Sequence, residues 1–201
     1  NDFTVGGGDV TQTLDTPSNN FATLNPLAGT AITSYAEGNN KITGVASSWT
    51  TSPSTLAVST GKWFCEAKAQ YSSLMIGILD IDQMVTNSYQ GSKPNGWGYE
   101  SPGNLWNNGS STASWGSTYT TGDIIGVALD LDNNYLYFAK NGTWQNSGVP
   151  TSGATGTGGI SITADKYYYF AMSLVDSTSS IIETNFGNGY FGTTEIVSPE
   201  N

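Results

Sequence analysis

Residues able to do acid–base or metal chemistry are few here, and their spacing favours no reaction. Asp130, Asp132 and Asn134 alternate along the chain, as the first three ligands of an EF-hand calcium loop do. The sixth position of such a loop calls for Gly and here holds Tyr135; the twelfth calls for Glu and here holds Asn141. No helical periodicity flanks the segment, so it reads as a polar hairpin turn. Glu66, Asp80, Asp82, Glu100, Asp123 and Glu183 are the carboxylates from which a glycosidase would draw two facing acids. Spacing singles out no pair. Glu66 and Glu183 each sit in an alternating pattern, either as solvent-face residues or as buried partners of a Lys. The chain has no His, which removes the usual general base, metal ligand and pH switch and excludes a Ser-His-Asp triad. Its one cysteine, Cys65, lies in an apolar-periodic stretch and reads as a small buried hydrophobe. The expectation is no catalytic residue, no metal site and no cofactor.

Aromatic residues set among small polar ones carry the better signal. Between residues 82 and 121 lie Tyr89, Trp97, Tyr99, Trp106, Trp115 and Tyr119, spaced by Gly, Ser and Asn. Tyr and Trp offer large, rigid contact area, and neighbouring amides supply hydrogen bonds, which suits both proteins and sugars. Trp106 and Trp115 are expected outside the core. The candidate ligand-binding set is Tyr89, Trp106, Asn107, Asn108, Trp115, Tyr119 and Trp144, the last following an Asn-Gly turn. Asn108-Gly109-Ser110 and Asn141-Gly142-Thr143 are also glycosylation sequons.

Charge narrows the partners. Six Lys, no Arg and sixteen acidic residues give a net charge of −10. Nucleic-acid binding needs cations to displace phosphate counterions, and an anionic membrane would repel this chain. No apolar run is long enough to span a bilayer. Only 11% of residues are charged, so hydroxyls and amides must solvate the surface, a composition common on extracellular and particle surfaces.

The elements that must hold these residues read as strands. Ile125, Val127, Leu129 and Leu131 form an apolar row at spacing two. A turn at 132–134 follows, then an aromatic-rich strand from Tyr135 that ends at Asn141-Gly142. Upstream, residues 62–71 alternate, and residues 74–81 form a continuous apolar strand in which Gly77 permits close backbone approach. Short strands are expected at 97–100, 104–107 and 112–116, a Gly/Ser/Thr loop over 143–164, and apolar strands at 167–175 and 180–186. Residues 1–27 read as an extended N-terminal segment, anchored by Phe21 and Leu24 or pairing with a neighbouring chain, residues 28–190 as one β-sandwich, and residues 191–201 as a tail without apolar period.

These strands resemble the SPRY (B30.2-like) family in six blocks that keep the family's order. They are Gly61 to Glu66, Ile76-Gly77-Ile78, Trp97-Gly98-Tyr99, the hairpin 122–142, Tyr169 to Ser173, and Asn185-Phe186-Gly187. The resemblance implies an all-β fold, a bent antiparallel β-sandwich of SPRY/concanavalin-like jelly-roll type, with Trp97 and Tyr99 facing the core because they match a family strand, and a binding role without catalysis. Asn25-Pro26-Leu27 and Trp144 are similar to SPRY-like modules on bacteriophage tail-fibre, appendage or capsid-decorating proteins. That likeness implies a virion-surface or extracellular location. The implied partners are other virion or fibre subunits and a host glycan or protein, within a homo-oligomer or larger assembly. A structural fibre subunit joined by strand addition is the alternative, and a carbohydrate-active enzyme a third reading.

Overall fold

The computed structural model describes residues 20–28, 32, 34–44, 48–71, 73–83, 87–175, 180–187, 190–191 and 194–195. Its strands are β1 (Ser34–Ala36), β2 (Lys41–Thr43), β3 (Thr50–Val58), β4 (Lys62–Gln70), β5 (Leu74–Asp80), β6 (Gly96–Glu100), β7 (Leu105–Asn107) and β8 (Ser110–Thr112). They continue with β9 (Ile124–Asp130), β10 (Tyr135–Lys140), β11 (Thr143–Trp144), β12 (Ile160–Ser161), β13 (Tyr168–Leu174), β14 (Ile181–Asn185), β15 (Tyr190–Phe191) and β16 (Thr194–Glu195). Two antiparallel sheets form the sandwich. The first runs β1-β2-β14-β4-β9-β10-β11, with β12 also on β10; the second runs β3-β13-β5-β6-β7-β8.

Alternation explains the core. Cys65, Ala67 and Ala69 of β4, Ile125, Val127 and Leu129 of β9, and Phe138 of β10 turn inward from the first sheet. Leu74, Ile76 and Ile78 of β5 and Met172 and Leu174 of β13 are buried from the second. Tyr99 of β6 meets Phe138 of the opposite sheet with ring centroids 5.5 Å apart, tying the layers together. Each large apolar side chain so enclosed contributes about 1.5–3 kcal/mol over its exposed state.

The central hairpin forms as its period predicts, with Tyr135 opposite Asp130 and Lys140 opposite Ile125. Its acidic turn does structural work. Asp130 accepts from Lys62 Nζ and from the backbone and side-chain nitrogens of Asn133, while Asp132 Oδ1 accepts from Gly61 N. Among the described residues no group of three or more His, Cys, Asp or Glu side chains is placed to hold a metal ion. No helix among them is long and apolar enough to cross a membrane.

Several sequence expectations need correction. The strand expected at 112–116 lies instead at Ser110–Thr112, and residues 113–116 turn back. That turn carries Trp115 against the core. The tail expected after residue 190 contributes Phe191, which is 2% exposed. The leading segment, by contrast, is anchored at Leu24 as expected. Leu24 is wholly buried and bridges Ser54, and Asn25 N donates to Pro53 O, so residues 23–25 line the free edge of β3. Residues 1–19, where pairing with a neighbouring chain was expected, lie outside the described residues.

Candidate binding surface

The outer face of the second sheet is covered by the loop that joins β5 to β6. A 3₁₀ turn at Gln90–Ser92 lies flat on it. Gln90 Nε2 donates to the carbonyls of Met75 and Ala171, both at 3.2 Å, and the Ser173 hydroxyl donates to Gln90 Oε1. Buried amides of this kind must be paired, so the loop is pinned to β5 and β13. Thr51 Oγ1 donates to Ser88 O at 2.7 Å, which fixes the loop to β3. Gly109 N donates to Gly91 O and Asn108 N to Lys93 O, both at 3.0 Å, which fixes it to the β7–β8 hairpin.

This pinning gathers three aromatic rings from distant parts of the chain. Tyr89 stands 5.4 Å from Trp49 and 5.3 Å from Trp106, with interplanar angles of 56° and 73°. All three rings are partly exposed. Gly91 is required for the approach, because a Cβ there would lie 2.5 Å from Trp106 Cβ. Trp106 Nε1 donates to Glu100 Oε2 at 2.7 Å, and Asn104 Nδ2 donates to the same oxygen at 3.0 Å. Burial raises the Tyr89 hydroxyl above its ordinary pKa, with the Glu100 carboxylate adding to the effect. Beyond Glu100, at the end of the sandwich, a cavity of about 220 Å³ is lined by Ser73, Glu100, Ser101, Pro102 and Tyr119. Glu100 links the two, lining the cavity while accepting from Trp106 of the row.

The seven candidate residues separate into three places. Tyr89 and Trp106 belong to the row. Asn107 and Asn108 lie beside it, but Asn107 Nδ2 already serves the carbonyls of Pro94 and Gly96, at 2.8 and 2.9 Å. Asn108 is exposed at the tip of the β7–β8 turn, with φ 51°. Tyr119 is 4% exposed, and its hydroxyl lies 2.8 Å from Tyr99 O and 3.1 Å from Leu74 O. Its ring is a core element that only floors the cavity. Trp115 packs on Tyr99 and Phe138 at 5.4 and 5.7 Å, which corrects its expected placement outside. The Asn146 carboxamide, with its oxygen turned toward the indole, accepts from Trp115 Nε1 at 2.8 Å. Trp144 stands on the outer face of the other sheet, 6.3 Å from Phe64 and 6.5 Å from Tyr137. Two residues of this surface, Trp49 and Glu100, stand outside the candidate set read from the sequence. Trp49 carried the same signature as the others, an aromatic among hydroxyls in Ser-Ser-Trp-Thr-Thr.

Among the described residues, Glu183, Glu66 and Asp80 are each engaged by neighbouring side chains. Glu183 accepts from Gln70 Nε2 at 2.6 Å and pairs with Lys41 at 3.2 Å, so it takes the buried-partner role. Glu66 accepts from Asn185 Nδ2 at 3.3 Å, and burial raises its pKa. Asp80, fully buried, pairs with Lys166 at 3.3 Å and accepts from Asn95 at 3.0 Å. Burial drives the Cys65 thiol well above its ordinary value, consistent with an inert core residue.

A second hollow of about 250 Å³ opens at the sandwich rim, walled by Leu56, Trp63, Phe64, Phe170 and Phe186 and by Phe21 of the leading segment. It is apolar, and the Trp63 indole N–H is already bound to Thr60 O at 2.7 Å.

Comparisons with known proteins agree with this architecture. No curated protein matches the chain in sequence. Among solved structures, the SPRY domain of human HERC1 superposes with a TM-score of 0.64 at 16% identity, covering 82% of this chain and 98% of that one. A human SPRY domain gives 0.63 at 15% identity, covering 79% and 97%. The PSpry domain of TRIM65 gives 0.65 at 13% identity, covering 83% and 92%. At such identities these likenesses speak to the fold alone. The sequence profile of the SPRY domain matches residues 62–187, from the first residue of β4 to the glycine after β14. With that match over most of its length, the chain belongs to the SPRY domain family.

Proposed function

We propose that this chain is a non-catalytic interaction module that holds a peptide segment of a partner protein against the Trp49–Tyr89–Trp106 row. SPRY domains are generally protein-interaction modules. The observation that carries the assignment is the gathering of three partly exposed rings, with Tyr89 5.3–5.4 Å from Trp106 and Trp49, around a loop pinned to the sheet. Aromatic anchors dominate protein interfaces because they bury much area at little entropic cost. A loop already ordered before binding loses little more on contact. The same rings with Asn104 and Glu100 would also suit a glycan, and the experiment separates the two. The proposal extends to display on a virion or other extracellular surface, supported by a chain that is only 11% charged.

The test pans a random-peptide display library and a glycan array against the wild-type protein, Trp49→Ala and Trp106→Ala. Enriched peptides whose binding falls about tenfold or more in both variants, with the fold intact, are expected. Binding confined to glycans would transfer the site to sugars. Peptide binding unchanged in both variants would move it elsewhere.

A further inference from the structure

We propose that the cavity beside Glu100 receives the cationic side chain, a lysine ammonium or an arginine guanidinium, of the segment that lies on the aromatic row. The inference rests on the peptide-binding reading and adds to it the charge of one partner residue.

Among the described residues, Glu100 is the one charged residue lining the cavity. Trp106 Nε1 and Asn104 Nδ2 converge on its Oε2, and no described residue donates to Oε1. The carboxylate is therefore oriented from one side and open on the other. Presenting a fixed acceptor saves the rotamer entropy that a free surface Glu would lose on binding. No ammonium group among the described residues pairs with it. Four of the six lysines, Lys41, Lys62, Lys140 and Lys166, pair with other carboxylates.

The remaining polar groups are either engaged or weak. The Ser101 hydroxyl accepts from Ser73 N at 3.0 Å, and the Tyr119 hydroxyl faces two backbone carbonyls. The cavity thus offers an anionic acceptor with little to attract an anion. Trp106 is held to the same carboxylate by its indole N–H, and a ring face suits both the aliphatic stem and the charge of Lys or Arg. The net charge of −10 favours approach of a basic segment and disfavours an acidic one.

The probe is a set of amino-acid amides followed by heteronuclear NMR of the tryptophan indole N–H groups. The Trp106 signal is assigned by its absence in Trp106→Phe. N-acetyl-lysine amide and N-acetyl-arginine amide are titrated beside N-acetyl-norleucine amide, which keeps the stem and lacks the charge. The expected result is a saturable shift of the Trp106 signal with the lysine or arginine amide, about tenfold weaker with norleucine. Added salt weakens it. Glu100→Gln, whose carboxamide oxygen still accepts from Trp106 Nε1, abolishes the charged preference. An equal response to norleucine, or an unchanged response in Glu100→Gln, overturns the inference.

Panning the peptide library on Glu100→Gln keeps the two readings distinguishable. Trp106-dependent peptides with no basic residue in the wild type would sink the charge assignment and leave the peptide reading standing. A lysine-amide response without any Trp106-dependent peptide would do the reverse.

Discussion

Asn141 Nδ2 donates to Asp123 Oδ1 at 2.7 Å, while Asn141 Oδ1 accepts from Ile124 N at 2.8 Å. One side chain thus ties the end of β10 to the start of β9 and closes the open end of the hairpin, and its backbone sits at φ 47°. The hairpin, rather than its sequon, explains this residue. Asn141→Ala should lose a charge-assisted hydrogen bond, a backbone bond and tolerance of positive φ, at about 2 kcal/mol. Asn141→Gly keeps the backbone tolerance and should lose about 1 kcal/mol. Urea unfolding midpoints of the two variants read the difference; equal losses would mean that the backbone contributes nothing.

Gly77 on β5 faces Gly98 on β6, and a Cβ at Gly77 would lie 2.0 Å from Trp97 O. A carbonyl oxygen in a sheet ladder cannot yield as a flexible side chain can. Gly77→Ala should therefore destabilise by about 3 kcal/mol or prevent folding. Gly122→Ala, where no neighbour lies within 4 Å, meets only the strain of φ 91° and should cost less. Thermal melts of both variants check the order.

What the sequence makes legible is local. The hairpin is readable because its apolar residues alternate and Asn-Gly closes it, whereas Trp97 and Tyr99 are readable as inward through their resemblance to a SPRY strand. The binding row is not readable, because Trp49, Tyr89 and Trp106 are brought together by hydrogen bonds from Thr51, Gln90 and Gly109 to distant segments. Tyr119 and Trp115 sit among Gly, Ser and Thr just as Trp106 does. They differ only in what awaits them. Two carbonyls sit near the Tyr119 hydroxyl, and Phe138 and Tyr99 lie against the Trp115 ring.

Burial pushes the Asp130 carboxyl up, but the Lys62 ammonium and the two Asn133 donors outweigh it and hold its pKa below the ordinary value. A depressed carboxylate contributes stability that is complete above its unfolded pKa, about 3.9, and is lost as pH falls through the lower folded value. Asp130→Asn should therefore be less stable than the wild type at neutral pH, and the two stability curves should converge as pH falls through the lowered folded value. Denaturant titrations across that range decide it. Parallel curves would show that the carboxylate's charge is immaterial.

Glu66 has the opposite sign. Burial raises its pKa and the Asn185 amide only partly offsets this, so the ionised form is disfavoured in the fold. The resulting penalty is present above the raised folded pKa and disappears as pH falls below the unfolded value. Glu66→Gln keeps an acceptor for Asn185 and should raise the melting temperature at neutral pH by about 1–2 °C, with no gain in acid. A lower melting temperature at neutral pH would mean that the charge at Glu66 is stabilising.

Trp115 and Trp106 offer the sharpest separation between support and contact. Trp115 packs edge-on against Tyr99 and Phe138 between the two sheets, so Trp115→Ala opens a void and should cost about 3 kcal/mol. Trp106 touches Tyr89 on the outer face and leaves Glu100 still bound to Asn104 when removed, so Trp106→Ala should cost about 1 kcal/mol. Binding should follow the reverse order. Trp106→Ala should lose the peptide while remaining folded at 25 °C, and Trp115→Ala should keep it wherever enough folded protein remains. Melting curves and peptide titrations on the same preparations measure both. A Trp115→Ala protein that is fully folded yet cannot bind would place the contact surface at the 113–116 turn instead of on the outer face of the sheet.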